Sequence, residues 1–290
     1  MATLRELRQR IASVQNTQKI TKAKELVAAA KMRRAQTAME ASRPYAEGIA
    51  RMLGRLAARK LDASHPFLEP REVKNRLLIL VTADRGLTGG LNINAIRAAN
   101  RFIQSEPTPV KLVTIGRKGR DYFRRVQIDI VADRSQIRDR PPISEILPAV
   151  TVAMEEYIEG SVDEVWLLYT RYVNPVTQVP TVVKVIPPEI PEAPEQSSTG
   201  AGSLYEFEPN PEAVLGALLP RYVESQVYHA VLENQASEQA ATMTAMRAAS
   251  DNANELIADL TLVRNKLRQA AITKELMEIV GGAEALAQAS

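Results

Sequence analysis

The chain contains no cysteine and has few histidine and aromatic residues. Without cysteine it cannot form a disulfide framework, a thiolate metal site or a thiol nucleophile, and this absence suits a reducing compartment. The two histidines, His65 and His229, are far apart and belong to no cluster with metal-ligand spacing. With aromatics at 4% and apolar residues at 45%, the core must be mainly aliphatic. The composition excludes cysteine chemistry, and we predict neither a metal nor a cofactor.

Long apolar runs, a secretory leader and catalytic motifs are missing as well. The strongest apolar run, residues 77–81, is far shorter than the roughly 18 residues of a membrane-spanning helix. The first fifteen residues are charged throughout, unlike a signal peptide. No pair of carboxylates stands out as acid and base, and no G-x-S-x-G elbow is present. We expect a soluble, non-catalytic chain that can lie at a membrane surface.

Positive charge is concentrated at the N-terminus. Residues 1–60 contain 14 Lys/Arg and 4 Asp/Glu, whereas the remainder contains 23 and 30. A basic arm is compatible with nucleic-acid binding, but no aromatic residue that could stack on a base precedes Tyr45. A long solvated helix that meets an acidic partner explains the same pattern, and we predict no nucleic-acid partner.

The first zone, residues 1–61, is poor in proline and glycine and rich in helix-forming residues. We predict one long helix there. Steps of three and four residues define a narrow stripe with a polar interval in its middle, as in a coiled coil. The stripe consists of Leu4, Leu7, Ile11, Val14, Gln18, Thr21, Glu25, Ala28, Met32, Ala35 and Met39.

The last zone, residues 211–290, predicts a second long helix with an early break at Pro220 and weak last turns at Gly281-Gly282. Two helices several times the average length cannot both be buried in one compact domain. We therefore expect them to pair as an antiparallel coiled coil that projects beyond the globular part. The stripe predicted for this helix is Ala253, Leu256, Leu260, Val263, Leu267, Ala270, Lys274 and Met277.

The middle zone, residues 76–208, alternates strand and helix patterns. Its β-α-β-α-β-α-β-β order predicts an α/β fold with a Rossmann-like, mainly parallel sheet and an antiparallel edge. Residues 187–203 are rich in proline, serine and glycine and predict a mobile loop within this domain. The predicted strands are 76–84, 109–116, 126–133, 162–173 and 179–187, and the predicted helices are 92–104, 117–124 and 143–158.

Two glycine-containing turns leave an alternative open. Residues 84–90 follow the first strand, where α/β folds bind phosphate, but Thr88 stands at the second glycine position of G-x-G-x-x-G. Residues 116–119, GRKG, resemble the RNA-binding clamp of KH domains, although they follow a strand. If these turns bind ligands, the chain is a nucleotide- or RNA-binding α/β protein with helical arms, and this is the alternative function. If they are ordinary tight turns, they bind nothing.

Four stretches resemble the gamma subunits of bacterial F-type ATP synthases, in the family's order and spacing. They are residues 8–36 (RQRIASVQNTQKITKAKELVAAAKMRRAQ), 42–47 (SRPYAE), 82–94 (TADRGLTGGLNIN) and 221–286, which begins RYVESQVYHAVLENQ. The resemblance implies an antiparallel coiled coil with an α/β domain at its foot. Thr88 stands where the family often has cysteine, and Ser250 stands where it usually has threonine.

The resemblance also implies a function. Gamma is the central rotor shaft of a proton-translocating ATP synthase, present in one copy and not itself catalytic. Its coiled coil lies inside a ring of alpha and beta subunits, and its foot binds the epsilon subunit and the membrane c ring. The implied location is the cytoplasmic face of a bacterial plasma membrane, as a peripheral subunit without a membrane span.

Finally, the resemblance implies residues that couple rotation to the beta subunits. They lie around KITKAK on the first helix and RQAAIT on the last. Lys24 departs from the family, where an apolar methionine is common, and Thr242 stands where arginine is usual. The implied contacts are Lys19, Lys22, Lys24, Thr242, Arg268, Gln269 and Thr273.

Overall fold

The structure, a computed structural model, describes residues 3–57, 65–69, 71–189 and 210–288. Residues 190–203 of the predicted mobile loop therefore lie outside the described part. The elements are α1 (Leu4–Ala57), a 3-10 helix (Pro66–Leu68), β1 (Arg76–Val81), α2 (Leu91–Ser105), β2 (Val110–Ile115), α3 (Arg117–Arg125), β3 (Ile130–Arg134), α4 (Ile143–Ile158), β4 (Glu164–Tyr172), β5 (Gln178–Ile186) and α5 (Pro211–Gln288).

The chain divides into two units. Met1–Val27 and Met243–Ser290 form one, which we call the coil unit, and Ala28–Thr242 form the other, which we call the sheet unit. Both long helices thus contribute a segment to each unit. The short 3-10 helix was not predicted. Each strand and helix predicted in the middle zone is present, although β3 begins at Ile130, four residues later than predicted.

Helix α1 begins at a capping box. The backbone N–H of Thr3 donates to Glu6 Oε2 at 2.9 Å, and the N–H of Glu6 donates to Thr3 Oγ1 at 3.2 Å. This reciprocal pair satisfies two amides at the helix start. The helix continues through Pro44 to Ala57, and residues 58–61 of the predicted helix lie outside the described part.

Helix α5 begins at a side-chain cap, since Asn210 Oδ1 accepts from the N–H of Ala213 at 2.8 Å. Our predicted break at Pro220 is wrong, because the helix continues through it. A proline inside a helix removes one backbone hydrogen bond. Leu219 and Val223 beside it are almost fully buried, and their burial offsets that cost.

The five strands form one sheet in the order β3-β2-β1-β4-β5. Strand β1 pairs in parallel with β2 and β4, β2 pairs in parallel with β3, and β5 runs antiparallel to β4. This confirms the mainly parallel sheet with an antiparallel edge. The strand order reverses between β1 and β4, which is the crevice where doubly wound folds bind ligands.

Successive residues of β1 point into two cores on opposite faces of the sheet. Leu77, Ile79 and Val81 pack in one core with α4 and with the parts of α1 and α5 in the sheet unit. Leu78 and Leu80 pack in the other core with α2 and α3. The sheet unit is therefore three layers deep, and α2 and α3 form one outer layer.

The predicted stripe of α1 is confirmed. Each of its eleven residues is buried or half-buried, including the polar ones in its middle. Leu7 and Ile11 are buried within the coil unit, where the beginning of α1 pairs with the later part of α5. Within this unit the two helix segments run antiparallel, as predicted.

The predicted stripe of α5 is correct only in part: Ala253, Leu260 and Leu267 are buried or half-buried, but the positions between and after them are not. Leu256 and Val263 are 40% and 43% exposed, and Ala270, Lys274 and Met277 are exposed too. Apolar residues occupy two neighbouring phases of this helix, so periodicity alone does not select the stripe that its partner covers. The buried or half-buried positions in steps of three and four are Ala253, Ile257, Leu260, Arg264, Leu267 and Ala271.

Candidate functional site

Six of the seven predicted contact residues lie on the surface of the coil unit. Lys19, Lys22 and Lys24 are exposed on α1, and Arg268, Gln269 and Thr273 are exposed on α5. The Lys22 side chain is 54% exposed, and its Nζ lies 2.9 Å from Glu25 Oε2. These six side chains are accessible to another protein.

Thr242 differs from the other six. It belongs to the sheet unit and is half-buried, and its hydroxyl donates to the carbonyl oxygen of Glu238 at 2.8 Å. This hydrogen bond stays within α5, one turn back along the helix. The structure thus gives the Thr242 hydroxyl a local partner.

A charged cluster joins the two helices of the coil unit. Glu25 is only 4% exposed, and its Oε1 accepts from Arg247 Nε at 3.0 Å while its Oε2 accepts from Lys22. The hydrogen bond from Lys22, followed by that from Arg247, lowers the pKa of Glu25, although burial acts in the opposite direction. Sequence reasoning missed Arg247, yet a carboxylate at a stripe position signals the need for a cation on the facing helix.

Apolar side chains accompany the lysines on α1. Ile20, Leu26 and Val27 are large and exposed, although they flank the buried stripe. Exposed aliphatic side chains that lie together suit a protein partner, and cations beside them suit an acidic one. The surface of the coil unit therefore has the composition of a binding face.

On α5, exposed aliphatic side chains lie within residues 272–281. Every side chain from residue 272 to residue 281 is exposed. The large aliphatic members are Ile272, Leu276, Met277, Ile279 and Val280.

The turn at residues 84–90 is closed by Asn92. Its Oδ1 accepts from the backbone N–H of Ala83 at 2.9 Å, and its Nδ2 donates to Thr88 Oγ1 at 3.0 Å and to the Arg85 carbonyl at 3.4 Å. Thr88 and Asn92 are both buried. Thr88 therefore helps to hold a tight backbone turn at the position where a dinucleotide fingerprint has glycine.

The GRKG turn at residues 116–119 uses its own amides. The first two N–H groups donate to the Arg134 carbonyl at 2.7 Å and to Asp84 Oδ1 at 2.8 Å. The third and fourth donate to the Ala83 carbonyl at 3.1 Å and to Thr82 Oγ1 at 2.9 Å. A phosphate at a helix start needs amides that point outward without partners. These four amides anchor α3 to β1 and β3, so this turn is not an RNA clamp.

Helix α5 occupies the end of β4 beside the ligand-binding crevice of the fold. The backbone of Thr170 donates to Asn234 Oδ1 at 3.2 Å and accepts from Ser237 Oγ at 2.9 Å. The N–H of Tyr172 donates to Glu233 Oε1 at 3.1 Å. Where a Rossmann-like enzyme receives its nucleotide, this protein binds its own long helix.

Comparison with known proteins identifies the family to which this chain belongs. The family model described as ATP synthase matches residues 3–286. This chain belongs to the gamma subunit family of the ATP synthase. As a member of the family it is a non-catalytic subunit of the enzyme, its rotor shaft.

Solved structures agree with the family assignment. The gamma-family chain is similar to a chain of the central stalk and c ring of the Tetrahymena thermophila mitochondrial ATP synthase, with 26% identity and a TM-score of 0.62. The match covers 80% of this chain and 99% of that chain.

Two structures from Euglena gracilis share the fold. Both come from the mitochondrial ATP synthase. A chain of its rotor in rotational state 1 matches with 19% identity and a TM-score of 0.61, over 93% of this chain and 98% of that chain. A chain of its OSCP/F1/c-ring structure in rotational state 3 matches with 21% identity and a TM-score of 0.66, over 98% and 94%.

The histidines of this gamma-family chain have structural partners. His65 Nδ1 accepts from the N–H of Phe67 at 3.1 Å and caps the 3-10 helix, and His229 Nδ1 lies 2.9 Å from Ser42 Oγ between α5 and α1. Within the described ranges, no three His, Cys, Asp or Glu residues are placed to hold a metal. Nor does any helix there combine the length and apolarity needed to cross a bilayer.

One carboxylate of the sheet unit has a strongly shifted pKa. Burial, helped by the negative charges of Asp84 and Asp139, raises the pKa of Glu238 to about 7. Arg85 and Lys31 act in the opposite direction, and Lys31 Nζ also lies 2.7 Å from Asp139 Oδ2. Glu238 therefore takes up a proton near neutral pH at the junction of α5, α1 and the loops that follow β1 and β3.

Proposed function

We propose that this gamma-family chain transmits rotation of a membrane c ring to the catalytic sites on the beta subunits of a proton-translocating F-type ATP synthase. The observation that carries the proposal is the coil unit, two paired helices that expose cations and aliphatic side chains on α1 and aliphatic side chains among charges of both signs on α5. Paired helices resist twisting, and such a surface can push on surrounding subunits as it turns.

The proposed partners follow from the same reading. They are the alpha and beta subunits around the coil unit, together with the epsilon subunit and the c ring, with one copy of this chain per complex. The similar chains come from structures of a central stalk, a rotor and a c ring, which supports an assembly of this kind. We place the complex at the cytoplasmic face of a bacterial plasma membrane, with this chain as a peripheral subunit.

Lys19, Lys22, Lys24, Arg268, Gln269 and Thr273 are the proposed contacts with the beta subunits. Contacts made by a rotor must form and break in each turn, so each one should be weak. An exposed ion pair contributes about 0.2–1 kcal/mol, which is a suitable magnitude. Thr242 remains a proposed contact through its exposed atoms, since its hydroxyl is bonded to Glu238.

The test replaces single contacts and compares pumping with hydrolysis. Lys24→Met and Gln269→Ala should change the ratio of ATP-driven proton pumping to ATP hydrolysis in membrane vesicles, while assembly stays intact. Arg8→Met and Gln15→Ala, which remove exposed side chains elsewhere on the coil unit, serve as matched controls. Equal changes in both activities, or a ratio identical to that of the controls, would refute the coupling role.

The partner set has a separate test. Tagged full-length chain purified from its native membranes should bring down alpha, beta, epsilon and c subunits in fixed ratios. Recovery of the chain alone, or with unrelated proteins only, would contradict the proposed assembly whatever the coupling measurements show.

A further inference from the structure

A surface groove lies on the outer layer of the sheet unit, between α2 and α3. It is an open depression of about 450 Å³, lined by one stripe of α2, from Ile93 to Gln104, and by Tyr122 of α3. Ile93 is 60% exposed, and Ile96 below it is half-buried. The Tyr122 hydroxyl accepts from Asn100 Nδ2 at 2.8 Å, which fixes the ring as one wall. The groove is thus a built surface with an aliphatic and aromatic floor.

The two helices that form this α2–α3 groove are strongly basic. Together they carry seven Lys or Arg residues and one acid, Asp121. Arg120 and Arg124 are paired with Asp133. The cations are Arg97, Arg101, Arg117, Lys118, Arg120, Arg124 and Arg125.

The two arginines that line the groove lack an acidic partner. Arg97 and Arg101 lie one turn apart on α2, and both are exposed. Arg97 donates to Asn94 Oδ1 at 3.3 Å, and in the part of the chain that the structure describes neither guanidinium is paired with a carboxylate. Two guanidinium groups at this spacing match two carboxylates one turn apart on a second helix.

We propose that the α2–α3 groove is a docking site for an acidic amphipathic helix of a partner protein. Aliphatic side chains of that helix would contact Ile93, Ile96 and the Tyr122 ring, and its carboxylates would face Arg97 and Arg101. This is the helix-in-groove mode of recognition, with charge complementarity setting orientation and specificity.

The shape of the groove favours a helix over a membrane. Ile96 and Tyr122 are only half-buried and lie between two helices, whereas a flat lipid surface would first meet the most exposed side chains. The groove also lies in the sheet unit, whereas the contacts proposed for torque transmission lie mainly in the coil unit. The inference is therefore independent of the coupling role, and either can fail without the other.

The test is a photo-cross-link in the assembled native complex. A benzoylphenylalanine placed at Ile93, which is largely exposed, should cross-link to a helical peptide of a partner subunit rich in Asp and Glu. Arg97→Glu with Arg101→Glu should reduce the yield at least about tenfold, because it turns two attractions into repulsions. Lys74→Glu, a charge reversal at another exposed site of the sheet unit, should leave the yield unchanged.

Further measurements decide the remaining outcomes. Arg97→Gln with Arg101→Gln should weaken the cross-link less than the double reversal, and circular dichroism melts of all variants should coincide because both positions are exposed. Reversing the cross-linked acidic residues to lysine should restore the yield with the double Glu variant. A cross-link to a neutral or basic segment, to a second copy of this chain, or to nothing would overturn the proposal. So would flotation of the full-length chain with phosphatidylglycerol vesicles that is lost in the double Glu variant.

Discussion

At the scale of single residues, Gly116 shows why the turn between β2 and α3 has the sequence it has. Its φ is +107°, and a Cβ there would lie 2.0 Å from the carbonyl oxygen of Thr82. Only glycine combines that backbone conformation with such a close approach. The glycines that resembled an RNA-binding clamp are therefore needed to pack α3 against β1.

Gly116→Ala should destabilise the sheet unit by on the order of 3 kcal/mol, because both its own backbone and the backbone of Thr82, just after β1, must shift. Urea unfolding followed by circular dichroism would measure this change. Gly48→Ala is the control, since nothing lies within 4 Å of its added Cβ in α1 and alanine favours helix. Equal stability of the Gly116 variant and wild type would contradict the packing described for this turn.

Glu238 makes a pH-dependent contribution to stability. Its pKa is raised from 4.5 to about 7 in the folded chain, so the folded state binds a proton that the unfolded state has released. The stabilisation is complete below pH 4.5 and is lost as the pH rises to about 7. Glu238→Gln should remove this loss and make the chain about 1–3 kcal/mol more stable at pH 8 than wild type.

Thermal melts of full-length chain at a series of pH values test this expectation. Glu72→Gln, which removes a carboxylate from a side chain that is 85% exposed in the same unit, is the matched control. If wild type and Glu238→Gln lost stability in parallel between pH 5 and pH 8, the shifted titration would belong to another group.

Residue-scale features were the hardest to predict from the sequence. The pattern of α1 placed Glu25 in the buried stripe, but the identity of Arg247 as its partner depends on the register of two helices far apart in sequence. Likewise, Asn92 looked like one polar residue at a helix start, and its three hydrogen bonds around the 84–90 turn appear only in three dimensions.

At the scale of elements, alternation and turn chemistry predicted the central sheet well. Each strand pattern ended at or beside a glycine, a proline or an acidic residue, so these ends hardly depended on tertiary contacts. The stripe of α5 was different, because Leu256 and Ile257 are both apolar and only the facing helix selects between them. Pro220 was also predicted wrongly for this reason. The burial of the residues around it outweighs the tendency of proline to end a helix.

Leu267 tests the corrected stripe. It is half-buried in the coil unit, and Leu267→Asp should cost about 2–3 kcal/mol because a charge would lose part of its hydration. Val263→Asp, four residues earlier on the exposed phase, should change stability by less than about 0.5 kcal/mol. Helix content during thermal unfolding of the two variants is the measurement, and similar losses in both would return Val263 to the stripe.

At the scale of the whole molecule, the family assignment came from long sequence strings, while the reason for the absent chemistry came from the structure. The resemblance implied a shaft without catalysis, but it gave no account of the Rossmann-like crevice. That account lies in α5, whose Asn234 and Ser237 bind the end of β4. No local pattern reveals a contact between residues more than sixty positions apart.

The purified chain alone should therefore hydrolyse no ATP above background. Added to alpha and beta subunits, it should permit turnover that involves more than one catalytic site. A coupled assay of ATP hydrolysis, with and without the partner subunits, measures both outcomes. Hydrolysis by the highly purified chain that survives further purification would contradict its non-catalytic role.

The exposed aliphatic stretch of α5 between residues 272 and 280 affects the protein before it assembles. Ile272, Leu276, Met277, Ile279 and Val280 are open to solvent when the chain is alone. Chaperones and proteases act on exposed aliphatic segments, and such segments also promote aggregation. We therefore expect unassembled copies to be short-lived, so that the supply of partner subunits sets how much of this chain a cell retains.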